Sequence, residues 1–526
     1  MQHDIEGDLR RPRTSALPAT MSPRRVFWLA FCVLASAMLL WAIGNAPMAS
    51  PDEPAHVVKA AAVARGELGG VPDPGGPGSG SVRVPQLYAY SLAIPGCYAF
   101  QPDATAACIP PEPADPDAST TVSTWVIRNN PLYYAIVGLP TLLPSNPMNF
   151  YLMRAMSALL NALVLAWGFR ALTEIRNSRL VALGVFAATT PMVLFLGSTV
   201  NSSALEISAA LALWVSLLAL LRSPDPAKLP VRMAGIAALA ILLANSRGLS
   251  PLFLVVIAVT AVAASPWSGF MAVLRGRRSW PWLALTMIGS GAALGWIAHA
   301  GTLASGGTAS TGISFLSGLK QSIRSTPGYV TSMIGQFGWL DTALPQWLYL
   351  LLVSAIAVPI VLALILGRRR RDALLVAGAG AMAVVLPVLI QAWQAKSVGL
   401  IWQGRYSLPL MVGFPLVAGF VAREGAVAVP AFRRRSVLVV PAIVLAVGHV
   451  GAYAYNLHRY IRGTSGSWFV PSAHDWNPPV PALVLLAAYA ITMLSLVVLI
   501  DRATRRLEPS PEVVPATAAE LQEATP

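Results

Sequence analysis

Apolar runs of about 20 residues recur from one end of this chain to the other, and almost no charge interrupts them. A helix of that length matches the hydrocarbon core of a bilayer. Only 11% of the 526 residues are charged and 55% are hydrophobic, against roughly 25% charged in soluble domains. That pattern excludes a soluble fold and predicts an all-α polytopic membrane protein. About twelve spanning helices are expected, over residues 26–46, 148–172, 179–198, 202–222, 231–246, 250–266, 281–300, 346–367, 373–392, 406–422, 436–456 and 481–501. Residues 1–25 read as a disordered basic N-terminus, and 502–526 as a disordered tail rich in Pro, Glu and Ala.

The net charge of +14 does not point to nucleic acid, because the basic residues sit in short clusters between apolar runs. That is the signature of cytoplasmic loops. With the N-terminus inside, 25 of the 37 basic residues fall on the inner side, and every inner segment holds at least three. Both termini are then cytoplasmic in a bacterial plasma membrane. Residues 47–147 and 301–345 become large outer loops. No Walker glycine loop or dinucleotide-binding fingerprint is present. Nucleotide-sugars are absent outside, so an enzyme working there needs an activated substrate carried by the membrane.

The first outer loop opens with Ser50-Pro51-Asp52-Glu53-Pro54-Ala55-His56, directly after the first span. Titratable groups at a membrane exit are costly to place idly. Residues 55–66 read as a short helix on which Glu53 and His56 share a face. Asp52 and Glu53 are candidate catalytic carboxylates with His56 beside them, and capping by Asp52 is the structural alternative. Cys97 and Cys108 lie in the same loop and are expected to form a disulfide on the oxidising side. Gly69 to Gly80 reads as a flexible insert. The apolar run after Asn130-Pro131-Leu132-Tyr133-Tyr134 is too short to span and reads as an interfacial or re-entrant helix. Tyr133 is there a candidate substrate contact or an ordinary interface aromatic.

Three cations defy the inner bias: Arg247, Lys396 and Arg405. Positive groups at the outer level suit a lipid phosphate, Arg as a fork and Lys as a point charge; snorkelling to headgroups is the alternative. Gln403 and Tyr406 flank Arg405. Trp339 and Asp341 precede the eighth expected span and are further substrate-binding candidates. Glu206 lies within a span, where a carboxylate usually faces a cavity, with Arg154 or Arg247 as its expected partner. His299, His449, His458 and His474 show no metal-ligand spacing.

The Pro-Asp-Glu-Pro-Ala-His opening, Asn130-Pro-Leu-Tyr-Tyr134, Gly338-Trp-Leu-Asp341 and Gln403-Gly-Arg-Tyr-Ser-Leu-Pro409 together resemble the bacterial membrane family called domain of unknown function 2142. The resemblance covers about residues 26–501. That family is similar to the GT-C glycosyltransferases, multi-span enzymes that use polyprenyl-phosphate sugars outside and carry an acidic residue in the first outer loop. The resemblance implies a GT-C-like fold, a lipid-linked sugar donor and a glycan or lipid acceptor. It implies that Asp52 or Glu53 is a general base, or a ligand to a divalent cation, Mg or Mn, in members that use one. The rivals are a flippase or transporter of lipid-linked glycan, and a non-catalytic assembly subunit.

Overall fold

A computed structural model of the chain describes residues 21–505 apart from 74–77, 176, 304–310, 368, 427–428, 430–433 and 471–474. The tail and residues 1–20 lie outside it, as do His474 and the middle of the Gly69–Gly80 insert. The helices run in the order α1 (Pro23–Gly44), α2 (Glu53–Ala64), α3 (Gln86–Tyr90), α4 (Leu132–Val137), α5 (Met148–Ala171), α6 (Arg179–Ala188), α7 (Pro191–Gly197), α8 (Ser202–Arg222), α9 (Leu229–Ala244) and α10 (Ser250–Ala263). They continue with α11 (Trp267–Arg275), α12 (Trp280–Ala300), α13 (Phe315–Gly335), α14 (Gln346–Leu366), α15 (Arg370–Val398), α16 (Gly404–Met411), α17 (Gly413–Ala426), α18 (Ser436–Arg462) and α19 (Ala482–Thr504).

Among the described residues, nine helices are long and apolar enough to cross a membrane, or up to eleven if each bent pair counts as one span. The bent pairs are α6 with α7, at 60°, and α10 with α11, at 118°. Every expected apolar run is helical, but the count of twelve is not reached. The run at 231–246 forms α9, a shorter apolar helix of 16 residues. Hydropathy sees an apolar run but not the bend or break within it.

Burial orders the bundle. The best apolar stretch of α8 is 94% buried and lies at the centre, against α5, α9 and α10. That of α12 is only 6% buried, so α12 sits at the rim against α9. One end of the bundle gathers arginine ion pairs: Arg222–Glu424 at 3.2 Å, Arg232–Glu174 at 2.7 Å and Arg435–Asp501 at 2.8 Å. The other carries the first loop and everything described below.

That loop folds as a cap, and it is not purely helical. Strands β1 (Val71–Pro72), β2 (Gly80–Pro85) and β3 (Ser119–Thr124) form an antiparallel sheet in the order β1-β2-β3. The ends of the glycine-rich insert are therefore paired, Val71 with Ser81 and Pro72 with Gly80. On β2, Val82 and Val84 alternate inward onto α2, the period-two pattern of a half-buried strand. Helix α2, expected over 55–66, runs Glu53–Ala64 with Pro54 in its first turn and is buried on nearly all sides. Lys59, fully buried on it, donates to the carbonyls of Leu68 and, at 2.7 Å, Ile127. The run after Tyr134 does not span: α4 ends at Val137, and Leu139, Leu142 and Leu143 are exposed apolar residues on a following 3-10 turn. The second outer loop is half helix, since α13 packs along α15 and α16. Its Lys320, Gln321 and Arg324 hide it from a search for apolar runs.

Cys97 and Cys108 are joined by a disulfide. The loop they close is pinned at its base by Arg459 of α18, whose guanidinium donates to the carbonyls of Tyr98, Gln101 and Ala104 at 2.6–2.9 Å. Removing a cross-link over a loop of this size costs about 3 kcal/mol in the chain-entropy view. The double variant Cys97→Ser/Cys108→Ser is expected to melt several degrees lower in detergent. An unchanged melt would contradict that.

Candidate active site

Asp52 occupies the residue before α2 in a left-handed conformation, φ 64° and ψ 0°. An Asp tolerates this region better than most residues, yet such outliers cost about 1–3 kcal/mol and gather at functional sites. The twist has a visible result. The side chain makes no capping hydrogen bond, so the capping alternative does not describe it. Its carboxylate instead accepts from Trp125 Nε1 at 3.0 Å and from Arg405 Nη2. It keeps 27% of its surface, whereas Arg405 is 1% exposed.

Arg405 is positioned at the start of α16. It also donates to the Pro51 carbonyl at 2.9 Å and to the Tyr406 hydroxyl at 3.1 Å. Burial works against the charged Asp52, but the Arg405 charge and the hydrogen bonds from Arg405 and Trp125 outweigh it, so the carboxyl sits below its usual range. Asp52 is thus ionised at neutral pH.

Glu53 has a different fate. It is fully buried and forms a fork with Arg154 of α5, Nε–Oε1 and Nη2–Oε2 both at 2.7 Å. Oε1 also accepts from the Val200 amide at 3.2 Å. Arg154 spends its remaining donors on the carbonyls of Ala42, Asn45 and Ala46. The adjacent carboxylates therefore divide: Glu53 braces the interior and Asp52 faces the open side.

His56 is 3% exposed and shares a 2.6 Å hydrogen bond with the Tyr134 hydroxyl, the two rings lying stacked. Burial pulls its pKa down to about 3, against the Asp52 charge and helped by Arg405 and Arg247. The ring is neutral in the folded protein. A depressed folded pKa contributes stability that is full above the unfolded value and lost as pH falls toward the folded one. Between pH 7.5 and pH 5 the fold is expected to lose about 2 kcal/mol on this account, and His56→Gln should flatten that loss. Thermal melts at both pH values check it; equal slopes in variant and wild type would refute it.

The segment leading into Asp52 is held by its carbonyls. Arg154 takes Asn45 and Ala46, the Tyr98 hydroxyl takes Pro47, and Trp339 Nε1 takes Met48 at 3.0 Å. The Tyr460 hydroxyl takes Ala49 at 3.2 Å, and Asn201 joins Arg405 on Pro51 at 3.1 Å. Trp339 and Asp341 belong to this framework. Asp341 accepts from the Phe100 amide at 2.8 Å and lies 3.5 Å from Arg459. Tyr133 is fully buried and bonded to Ser157 at 2.8 Å and to the Asn201 amide at 2.9 Å.

Beside Asp52 lies a cavity of about 330 Å³ whose wall includes Asn129, Glu206, Arg247, Trp393, Trp402 and Tyr406. Glu206 accepts from Ser250 at 2.6 Å and lies 4.0 Å from Arg247, which identifies its partner as Arg247 and not Arg154. Arg247 donates to Ser203 at 2.9 Å and stands 4.3 Å over the Tyr406 ring. Tyr406 thus joins the cavity to the Asp52–Arg405 pair. Of the three unusual cations, Arg247 lines the cavity, Arg405 is committed to Asp52, and Lys396 is exposed on the last turn of α15, outside the lining. Gln403 precedes α16, and its buried Oε1 has no partner among the described residues.

Trp125 was not singled out by sequence; its place just before the Asn129-Asn130-Pro131 segment is the only local signal. No group of three or more His, Cys, Asp or Glu side chains that could hold a metal occurs among the described residues. With Glu53 engaged by Arg154, Asp52 is left as one carboxylate already paired to a cation, so the residues present do not fit a divalent ion.

No curated protein matches the chain. A family model described as predicted membrane protein (DUF2142) matches residues 36–414. The match spans α1 to the start of α17 and includes Asp52, Trp125, Arg247 and Arg405, while α18 and α19 lie beyond it. With most of its length covered by that model, the chain belongs to the DUF2142 family of predicted membrane proteins.

Proposed function

We propose that this membrane protein is a glycosyltransferase of the GT-C type, working at the extracytoplasmic face on a polyprenyl-phosphate-linked sugar. Asp52 is the general base. The observation that carries this reading is the left-handed turn at Asp52, which aims an ionised carboxylate away from the helix cap and toward the open side of the cap. In the step, the acceptor hydroxyl gives its proton to Asp52 as its oxygen bonds to the anomeric carbon. The bond from that carbon to the phosphate oxygen breaks, and polyprenyl phosphate leaves with the electron pair. A positioned base is worth about 10²–10⁴-fold.

Arg247 serves the leaving phosphate, being the cation that lines the neighbouring cavity. Its grip on Glu206 is long, at 4.0 Å, so an anion can compete for it. Arg405 keeps Asp52 ionised and aimed, at some cost in basicity. The arginine-rich end opposite the cap agrees with cytoplasmic termini under the positive-inside rule.

The test compares a deletion strain complemented with wild type or with Asp52→Asn, reading envelope glycan composition and polyprenyl-sugar pools. Loss of a glycan component with accumulation of the lipid-linked donor is expected. Unchanged glycans at normal protein level would end the enzyme reading. Precursor trapped on the inner leaflet would favour a transporter.

A further inference from the structure

A second cavity, of about 470 Å³, lies deeper in the bundle, between α14, α15, α16 and the junction of α6 with α7. Its lining is apolar; the hydroxyl of Thr190 is spent on the Met333 carbonyl at 2.8 Å. Such a space offers water too few partners to hold it. Three features tie the cavity to the transfer site. First, Leu408 and Met411 line it from α16, the helix whose Arg405 grips Asp52. They follow Arg405 by three and six residues, so the cavity begins within about 9 Å of that pair along the helix axis. Second, the span formed by α6 and α7 bends by 60° at the cavity wall. Breaks at membrane depth are tolerated where backbone is buried in protein or lines a cavity. Third, Ala377 and Ala381, small and exposed on α15, line the cavity, so it meets the surface of the bundle there.

Position around α16 adds the decisive point. At about 100° per residue, Leu408 and Met411 lie about 160° and about 140° around the helix from Tyr406. Tyr406 faces the Arg247 cavity. The two cavities therefore flank α16 on opposite sides, one with a cation for a phosphate and one with none. Resting on the glycosyl-transfer reading, we propose that the acceptor is itself a lipid. Its hydrocarbon chain sits in the apolar cavity and its hydroxyl head reaches Asp52, while the donor phosphate takes the Arg247 side. Asp52 then stands between two amphiphiles that both arrive from the membrane.

The experiment uses the full chain in phosphatidylcholine nanodiscs with a diazirine-tagged diacylglycerol, an uncharged lipid with a free hydroxyl. After irradiation, labelled peptides are mapped for wild type, Ala381→Phe, Asp52→Asn and Ala292→Phe, the last on the exposed face of α12. Label is expected around residues 377–384 and 408–415. Ala381→Phe should lower it at least fivefold with an unchanged melt, while Ala292→Phe and Asp52→Asn leave it intact. Label spread over all lipid-facing helices, or equal labelling of Ala381→Phe, overturns the proposal. Specific labelling together with glycans indifferent to Asp52→Asn would sink the transfer reading and leave the lipid site standing. Uniform labelling, with the Asp52-dependent sugar found only in water-soluble polymer, would sink the lipid acceptor alone.

Discussion

Replacing Arg154 by Met is expected to lower stability by about 3–5 kcal/mol, the range for removing one partner of a buried ion pair. Glu53 would be left at 0% exposure with only the Val200 amide to meet it. The carbonyls of Ala42, Asn45 and Ala46 would lose their donors at the same time. In a typical domain that is a large share of the net stability, so the variant should appear as low membrane yield and early aggregation on heating. Glu53→Gln should behave similarly from the other side. The double variant Glu53→Gln/Arg154→Met should recover part of the loss, because no unpaired charge remains. Fluorescence size-exclusion melts of the three variants settle it. Additive losses in the double variant would show that the pair is not coupled.

Asp52→Asn should do the reverse, abolishing transfer while sparing most of the fold. An asparagine oxygen can still accept from one of the two donors, Arg405 or Trp125, which in the wild type take different carboxylate oxygens, so most of the site's shape is kept. The base is gone, and activity should fall about 10²–10⁴-fold. Asp52→Glu keeps the charge and Arg405's partner but moves the carboxylate by one methylene, and it too should lose most activity, since a misplacement of about 1 Å can cost 10²-fold. Because Asp52 titrates below the usual carboxylate range, wild-type activity should hold steady as pH drops from 7 to 5. Any stability it lends is likewise present above the unfolded pKa and lost only as pH falls through the lower folded one. A full-rate Asp52→Asn enzyme would end its role as base.

What the sequence made legible was local or statistical. The apolar runs, the sided arginines, the cysteine pair and the short helix after Asp52 all depend on neighbours along the chain. The division of labour between Asp52 and Glu53 was not legible, because it is decided by Arg405 and Arg154, which lie 353 and 101 positions away. Trp339 and Asp341 were singled out as substrate-binding candidates by their place before the eighth expected span. The structure ties them to Met48 and Phe100, and no spacing rule encodes such a tie. The cap sheet escaped for another reason: β1 has two residues, and β3 is a Ser/Thr strand whose burial pattern is weak. Span counting failed where a helix bends, since hydropathy averages over the very residues at which direction changes.

The carbonyl-bound segment from Asn45 to Pro51 has a consequence for how such a family can diversify. Side chains from α5, the disulfide loop, the turn after α13, α16 and α18 all grip its backbone, and none of them depends on which side chain it carries. Motifs scattered over four hundred residues of text thus act as one mould around a single strap. The strap is itself packed, with Asn45, Ala46, Met48, Ala49 and Ser50 all buried, so strap and mould constrain each other. A lineage could retune the exposed surroundings of Asp52 while its aim is inherited unchanged.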